Sequence, residues 1–478
     1  MSVGRNYLYN IAYQVLTLIL PLVTTPYVSR VLGSDGVGTY SYTFSVAYYF
    51  VLFAMLGVNN YGNRSVAMAR DDKVELSRTF WGIWTVQAVM CLACTGIYLV
   101  YALFVADNRL LAIVWVPYVL TGALDINWFF FGLEKFRITV LRNFVIKLST
   151  FVLTFAVVRG EWALFNYLLL MSLSYFVSVA VLWPFVRQEV LFVRPGISEV
   201  LRHVKPDLVL FIPVIAVSLY TVLDKVMLGQ IAGMGETGIF ENSLKVAQMP
   251  FTLISALGTV MLPHAANLCA TGHRESVKRY MAPSMWFAML LSSAFTFGVI
   301  AVSEEFVPIF FGDGFEACSV VMPVIVLEMP FMAWANVIRT QWLMPTSQDR
   351  AYVFSVVVGA IANIVVNLAL IPALGALGAA IATLVAEAAV SVVQTIAVKG
   401  DLPLARWAIE SLPAFVIGVL MLAIVRFSVS LLPGGIIGLL LEILVGVFAF
   451  GGMSVIWYHG RKNPYLEQVA GSLLKKRA

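Results

Sequence analysis

Charge is what this sequence has little of. Asp, Glu, Lys and Arg make up 12% of its 478 residues, against about 25% in a soluble globular chain. Apolar residues make up 60%, so there is too little polar surface to wrap a water-soluble domain. Cysteine is scarce as well: Cys91, Cys94, Cys269 and Cys318 are too few and too scattered for a disulfide framework. Cys91 and Cys94 form a C-x-x-C, but Val89, Met90, Leu92 and Ala93 around them are hydrocarbon, so they read as small packing residues. His203, His264, His273 and His459 make no ligand pair. No catalytic triad, phosphate loop or metal motif is found, and nothing calls for a cofactor. These absences argue against an enzyme.

Long apolar runs are abundant. Fourteen can be read, at residues 7–32, 38–58, 80–105, 110–131, 143–158, 162–186, 208–231, 244–262, 281–302, 319–343, 352–371, 375–398, 407–425 and 433–457. A membrane-crossing helix needs about 20 apolar residues, so fourteen consume most of the chain and leave short loops. The expected fold is an all-α polytopic membrane protein. The first run is too long for a cleavable signal, and Pro21 and Pro26 stand where small residues would be needed.

Basic residues fix the expected orientation. With the N-terminus inside, the inner loops hold Arg64, Arg70, Lys73 and Arg78, then Lys135, Arg137 and Arg142, then Arg187, Arg194, Arg202 and Lys205. They continue with Arg274, Lys278, Arg279, Arg350, Lys399 and Arg406, and end in the basic tail from Arg461. The outer loops offer Arg30, Arg109, Arg159 and Arg426, and one carries Glu304, Glu305, Asp313 and Glu316. This is the positive-inside pattern, with both termini cytoplasmic. The net charge of +5 therefore reports topology and anionic headgroups and not nucleic acid.

The chain also echoes itself at a distance of about 200 residues, an offset spanning six runs, as parallel transporter repeats do. Asp35–Tyr40 matches Gly235–Phe240, Leu56-Gly57 matches Leu257-Gly258, and the loop 132–137 matches 345–350. An even number of spans inserts both copies the same way. The expected organisation is an N-lobe at 1–190, a cytoplasmic linker at 191–207 and a C-lobe at 208–400 around a central cavity. Two added spans follow at 401–458, then a basic tail at 459–478.

Polar stripes mark the faces that avoid lipid. Asn6, Asn10, Gln14, Thr17 and Thr24 recur in the first span, and Asn143, Lys147, Thr150 and Thr154 in the fifth. Ser218, Thr221 and Lys225 do so in the seventh, and Ser355, Gly359, Asn363 and Asn367 in the eleventh. Spacing of three or four keeps each set on one face, turned toward a hydrated cavity or toward a neighbouring helix. Cations gather at two depths: Arg64, Arg142 and Lys147 near the cytoplasmic mouth, and Arg30, Lys225 and Lys245 near the outer one. Some could snorkel to headgroups; as a set they suit a substrate with an anionic group, where Arg grips phosphate by paired donors. Glu328 and Glu387, in mid-span, and Asp224 are candidates for a coupling ion, with structural ion pairs as the alternative.

At these residues the chain resembles the polysaccharide-unit flippases, the Wzx-type branch of the multidrug/oligosaccharidyl-lipid/polysaccharide exporter superfamily. The likeness rests on Asn10, Pro21, Pro26–Gly33, Gly38–Tyr42 and Tyr61–Arg64. It continues in Leu223–Gly229, Gly238–Glu241, Asn363, Asn367, Ile371-Pro372, Gly375, Gly378–Ala380 and Glu387, with Phe240 where the family often has tyrosine. It implies a cytoplasmic-membrane protein that moves an undecaprenyl-diphosphate-linked oligosaccharide to the outer leaflet by alternating access, for O-antigen or capsule. Membrane lipids, a polymerase and other polysaccharide-assembly proteins would be its partners. A teichoic-acid or multidrug exporter of the same superfamily is the nearest alternative. A polytopic polymerase would need a large outer catalytic loop and no six-span repeat.

Overall fold

The computed structural model describes residues 19–135, 137–258, 261–461 and 465. Asn6, Asn10, Gln14 and Thr17 lie outside them, as does most of the basic tail. Among the described residues every regular element is a helix, and thirteen are long and apolar enough to cross a membrane. The first of these, Ile19–Ala69, holds 51 residues. At 1.5 Å per residue it would reach more than twice the roughly 30 Å of a hydrocarbon core. Gly33 breaks it with φ of 65° and ψ of 178°, a backbone that suits glycine. The stretch therefore carries both the first and second expected spans, and fourteen crossings are accommodated.

Two compact units divide the chain, at Met1–Gly238 and Ile239–Ala478. The first contains α1 (Val3–Met55), α2 (Val58–Ala69), α3 (Lys73–Phe104), α4 (Arg109–Ile113), α5 (Val116–Leu124) and α6 (Asn127–Gly132). It goes on with α7 (Phe136–Val157), α8 (Ala163–Ala180), α9 (Trp183–Glu189), α10 (Ile197–Thr221) and α11 (Leu223–Ile231). The dividing point falls inside α12 (Met234–Ala270). The second unit then holds α13 (Arg274–Phe310), α14 (Cys318–Val326), α15 (Met329–Ile338), a π-helical turn at Arg339–Leu343, α16 (Asp349–Leu374), α17 (Ala376–Val398), α18 (Leu404–Val429) and α19 (Gly435–Gly460). Helices α10 and α11 pack on α1, α2 and α3, so the seventh span belongs to the first unit. Its helix also starts earlier than its apolar run suggests, at Ile197, with His203 and Asp207 of the polar first turns buried and the residues between them largely exposed.

Helix α3 buries one face and leaves the other apolar and exposed, as a span between protein and lipid would. On α3, Phe80, Ile83, Gln87, Cys91 and Tyr98 are buried while Val89, Leu92, Val100 and Phe104 are exposed. Cys91 and Cys94 pack with Ala54, Phe50 and Ala123. Where two helices approach closely, glycine makes room: in the second unit a side chain at Gly359 would meet Val390 of α17 at 2.5 Å. That is the small-residue packing typical of membrane helices.

Span four is discontinuous, and the break is handled by side chains. Helix α5 ends at Leu124 and α6 begins at Asn127, with Asp125 in extended conformation. A break inside a membrane exposes carbonyls with no water to meet them. Gln87 Nε2 donates to Gly122 O at 2.6 Å and Asp125 O at 2.8 Å. Trp84 Nε1 donates to Ala123 O, and Trp183 Nε1 to Leu124 O, each at 3.0 Å. Four successive carbonyls are thereby paired, and Gln87 Oε1 accepts from Trp128 Nε1 at 3.2 Å.

Candidate functional site: a cationic cleft in the first unit

The break in span four leads directly to a buried cation. Asp125 Oδ1 accepts from the Asn127 backbone N–H at 2.9 Å and from Asn127 Nδ2 at 2.7 Å. Those bonds fix the Asn127 amide so that its Oδ1 faces α7, where Arg142 Nη2 donates to it at 3.1 Å. Arg142 also donates from Nε and Nη2 to Asn143 Oδ1, at 3.1 and 2.5 Å. Arg142 is 9% exposed and its guanidinium is held at several points. Asp125 stabilises it through the intervening amide, which fixes its direction while leaving the positive charge in place.

One face of α7 runs on from Arg142 as the wall of a cleft of about 360 Å³. Asn143, Lys147, Thr150 and Thr154 of the fifth-span stripe line it, joined by Pro21 and Thr24 of α1 and by Tyr167, Ser174, Tyr175 and Ser178 of α8. Thr150 shares a 2.9 Å hydrogen bond with Ser174 and donates to Ile146 O at 2.8 Å; Thr154 donates to Thr150 O at 2.8 Å. Tyr27 Oη donates to Val158 O at 2.9 Å and its ring lies 4.6 Å from that of Phe155, closing α1 onto α7. Lys147 is exposed along this wall. Hydroxyls, an amide and aromatic faces beside a cation provide for a ligand that is both anionic and rich in hydroxyl groups.

The other expected site residues are distributed differently. Arg64 is exposed on α2, and Arg30 is exposed with Nη1 donating to Pro26 O at 3.3 Å. Asp224 is buried in the first turn of α11, and Lys225 beside it is half-buried. In the second unit Lys245 pairs with Glu241 at 3.1 Å, one turn back on α12. Asn363 and Asn367 of α16 are fully buried, with Asn367 Nδ2 donating to Asn363 Oδ1 at 3.0 Å. Their stripe shares the face on which Gly359 meets α17. Glu328 is buried where α14 gives way to α15. Glu387 is buried on α17 within electrostatic reach of Arg339.

Asp125, Asn127 and Arg339 were missed in reading the sequence, although the signal was there. Asp125 and Arg339 are ionisable residues inside apolar runs, the same feature that singled out Lys147. Arg339 opens the π-helical turn and lies 5.7 Å from the ring of Tyr352, and π-turns gather at functional positions.

The sequence comparisons agree with this architecture. The family described as Polysaccharide biosynthesis protein matches residues 3–268, more than half of the chain. The chain belongs to that family. The family Lipid II flippase MurJ matches residues 150–446. A protein named as an O-antigen transporter of Escherichia coli (strain K12) is 23% identical over 408 residues, covering 84% of this chain and 98% of that protein. Among solved structures, the lipid II flippase MurJ in an inward closed conformation aligns with a TM-score of 0.73 at 13% identity, over 96% of this chain and 100% of that one. An inward-facing multidrug resistance MATE family transporter aligns at 0.58 and 10% identity, over 82% and 98%. This polysaccharide biosynthesis family member, which the flippase family model also matches over more than half of its length, is thus a multi-pass membrane protein, a Wzx-type flippase.

Proposed function

We propose that the chain carries an undecaprenyl-diphosphate-linked oligosaccharide across the cytoplasmic membrane, from the inner to the outer leaflet, by alternating access. The observation that carries this reading is the first-unit cleft, in which Lys147 and the sugar-compatible wall of α7 and α8 continue from the anchored Arg142. In this account Arg142 and Lys147 receive the diphosphate, because cations hold phosphate oxygens by charge-assisted hydrogen bonds. Thr150, Ser174, Tyr167 and Tyr175 face the first sugars, and the polyprenyl tail stays in lipid. Lys225 and Arg30 serve the diphosphate nearer the outer side, whereas the charge of Lys245 is already met by Glu241. Both termini lie in the cytoplasm, and a polymerase takes up the emerging unit.

The test is reconstitution. Purified protein in lipid vesicles is given the diphosphate-linked glycan in one leaflet, and the glycan reaching the other leaflet is scored with an impermeant glycosidase. Transfer well above that of protein-free vesicles, and above that of a glycan on a neutral polyprenyl carrier, is expected. Equal transfer of the neutral carrier would remove the diphosphate from the account, and transfer of a cationic drug in its place would favour the multidrug alternative.

A further inference from the structure

The joint between α1 and α2 has a second cluster of polar groups, unrelated to the cleft. Leu56 takes φ of 47° and Gly57 precedes α2, so the backbone turns sharply there. Helix α10 lies against that turn so tightly that a side chain at Gly57 would meet Asp207 O at 2.4 Å and Phe211 N at 2.8 Å. Phe211 closes the contact from one side by packing on Leu52 and Leu56. On the other side His203, one turn before Asp207, shares a 2.7 Å hydrogen bond between Nδ1 and Tyr61 Oη of α2. The His203 ring is also pressed on α3, where a side chain at Gly82 would come within 2.8 Å of Nε2.

Two titratable side chains are thus shut away without partners for all their polar atoms. Asp207 is 1% exposed and neither carboxylate oxygen has a hydrogen-bond partner, with the Gly57 backbone amide close by. His203 is 5% exposed and its Nε2 is unpartnered. The remaining charged and titratable groups around them are few. On α10 they are Glu199, Arg202 and Lys205, with Arg202 directed to Glu75 of α3 at 3.6 Å. From α2 there is Tyr61, and from α1 Tyr48 and Tyr49 beside Phe211. None is an ion-pair partner within 4.0 Å of Asp207 or His203 among the described residues. A carboxylate or imidazolium enclosed in this way loses its hydration and gains no partner in exchange, so the closed contact tolerates only the neutral form of each.

We propose that His203 and Asp207 form a proton-operated latch: α10 docks on the α1–α2 break when Asp207 carries its proton and His203 does not. The contact then loosens from both directions. Rising pH ionises Asp207 and draws it toward water, whereas falling pH charges His203 and breaks its fit between Tyr61 and Gly82. Docking is therefore strongest at intermediate pH, and each group owns one limb of the profile. The ligand of this site is the proton.

Hydrogen exchange of the full-length protein in detergent, followed by mass spectrometry across about pH 3 to about pH 9 and corrected for intrinsic exchange, reads the contact without any transport assay. Peptides covering residues 200–211 should be protected most between about pH 4 and about pH 6.5, the ordinary values of a carboxyl and an imidazole, where the two linked protons offset each other; the acid limb lies below that window and the alkaline limb above it. Each limb should approach a tenfold change in opening per pH unit, the slope of one linked proton. Asp207→Asn should abolish the alkaline limb and keep the acid one, and His203→Gln should do the reverse. Gly57→Ala, which places a methyl group in the contact, should lower protection at every pH. A wild-type profile flat in pH overturns the latch. An alkaline limb surviving in Asp207→Asn, or an acid limb surviving in His203→Gln, removes that residue from it.

Discussion

Arg142 Nη2 stands 3.1 Å from Asn127 Oδ1, and this bond ties the start of the cleft wall to the break in span four. Without it, a buried guanidinium and a carboxylate in a membrane helix would each lose the group that mediates between them. Asn127→Leu keeps the size and removes both hydrogen-bonding functions. Leaving buried polar groups unmet costs about 1–3 kcal/mol, and more for charged ones, so the thermal midpoint in detergent should fall by several degrees. An unchanged midpoint would show that the relay does not hold the break.

Two glycines test how closely the first unit is packed. A side chain at Gly62 would come within 2.5 Å of the fully buried Trp128 ring, whereas at Gly96 nothing lies within 4 Å. Gly62→Ala should destabilise by about 1–3 kcal/mol through overpacking. Gly96→Ala should stabilise α3 by a few tenths to about 1 kcal/mol, since alanine loses less chain entropy. Both are read from the same unfolding curves, and equal effects would refute the packing described.

The apolar runs located nearly every crossing, because a span must be apolar for about 20 residues whatever it packs on. The seventh helix begins earlier than its apolar run: Arg202 and His203 read as linker, yet α3 supplies Glu75 to Arg202 and α2 supplies Tyr61 to His203, partners that only the fold reveals. The fifth-span stripe was legible because three- and four-residue steps survive in any helix. Its partners on α8 were not, since Tyr167, Ser174 and Tyr175 lack a distinctive spacing. The pairing of four carbonyls by Gln87, Trp84 and Trp183 is a tertiary fact that local sequence does not contain. The eleventh-span stripe looked the same in sequence as the fifth, but its asparagines are fully buried on α16. Spacing reveals a shared face; it does not reveal what covers that face.

Orientation has its own test. Single cysteines in a cysteine-free background, labelled from outside intact cells by an impermeant maleimide, should react at position 313 and stay unreactive at position 200. Arg426 pairs with Glu304 and Glu305 at 3.2 Å each, so this acidic stretch has a fixed partner and labelling there reports on a folded surface. Strong external labelling at 200 would invert the topology.

Glu387, buried opposite Arg339, is either a coupling-ion site or half of a structural pair. As a coupling site, Glu387→Gln should leave the protein folded and remove the response of transport to an imposed proton or sodium gradient in vesicles. Unchanged gradient dependence would make the residue structural.

The central claim is that the cleft beside Arg142 receives a diphosphate through Lys147. Its most direct measurement is the rate of glycan transfer in reconstituted vesicles for wild type, Lys147→Gln and Lys147→Arg at matched protein content. A charge-assisted phosphate contact is worth about 1.5–3 kcal/mol, so loss of the charge should slow transfer by at least about tenfold. Arg should restore part of the rate because it keeps the cation in a different shape. Full-rate transfer by Lys147→Gln would contradict the account and leave Lys147 as a headgroup anchor.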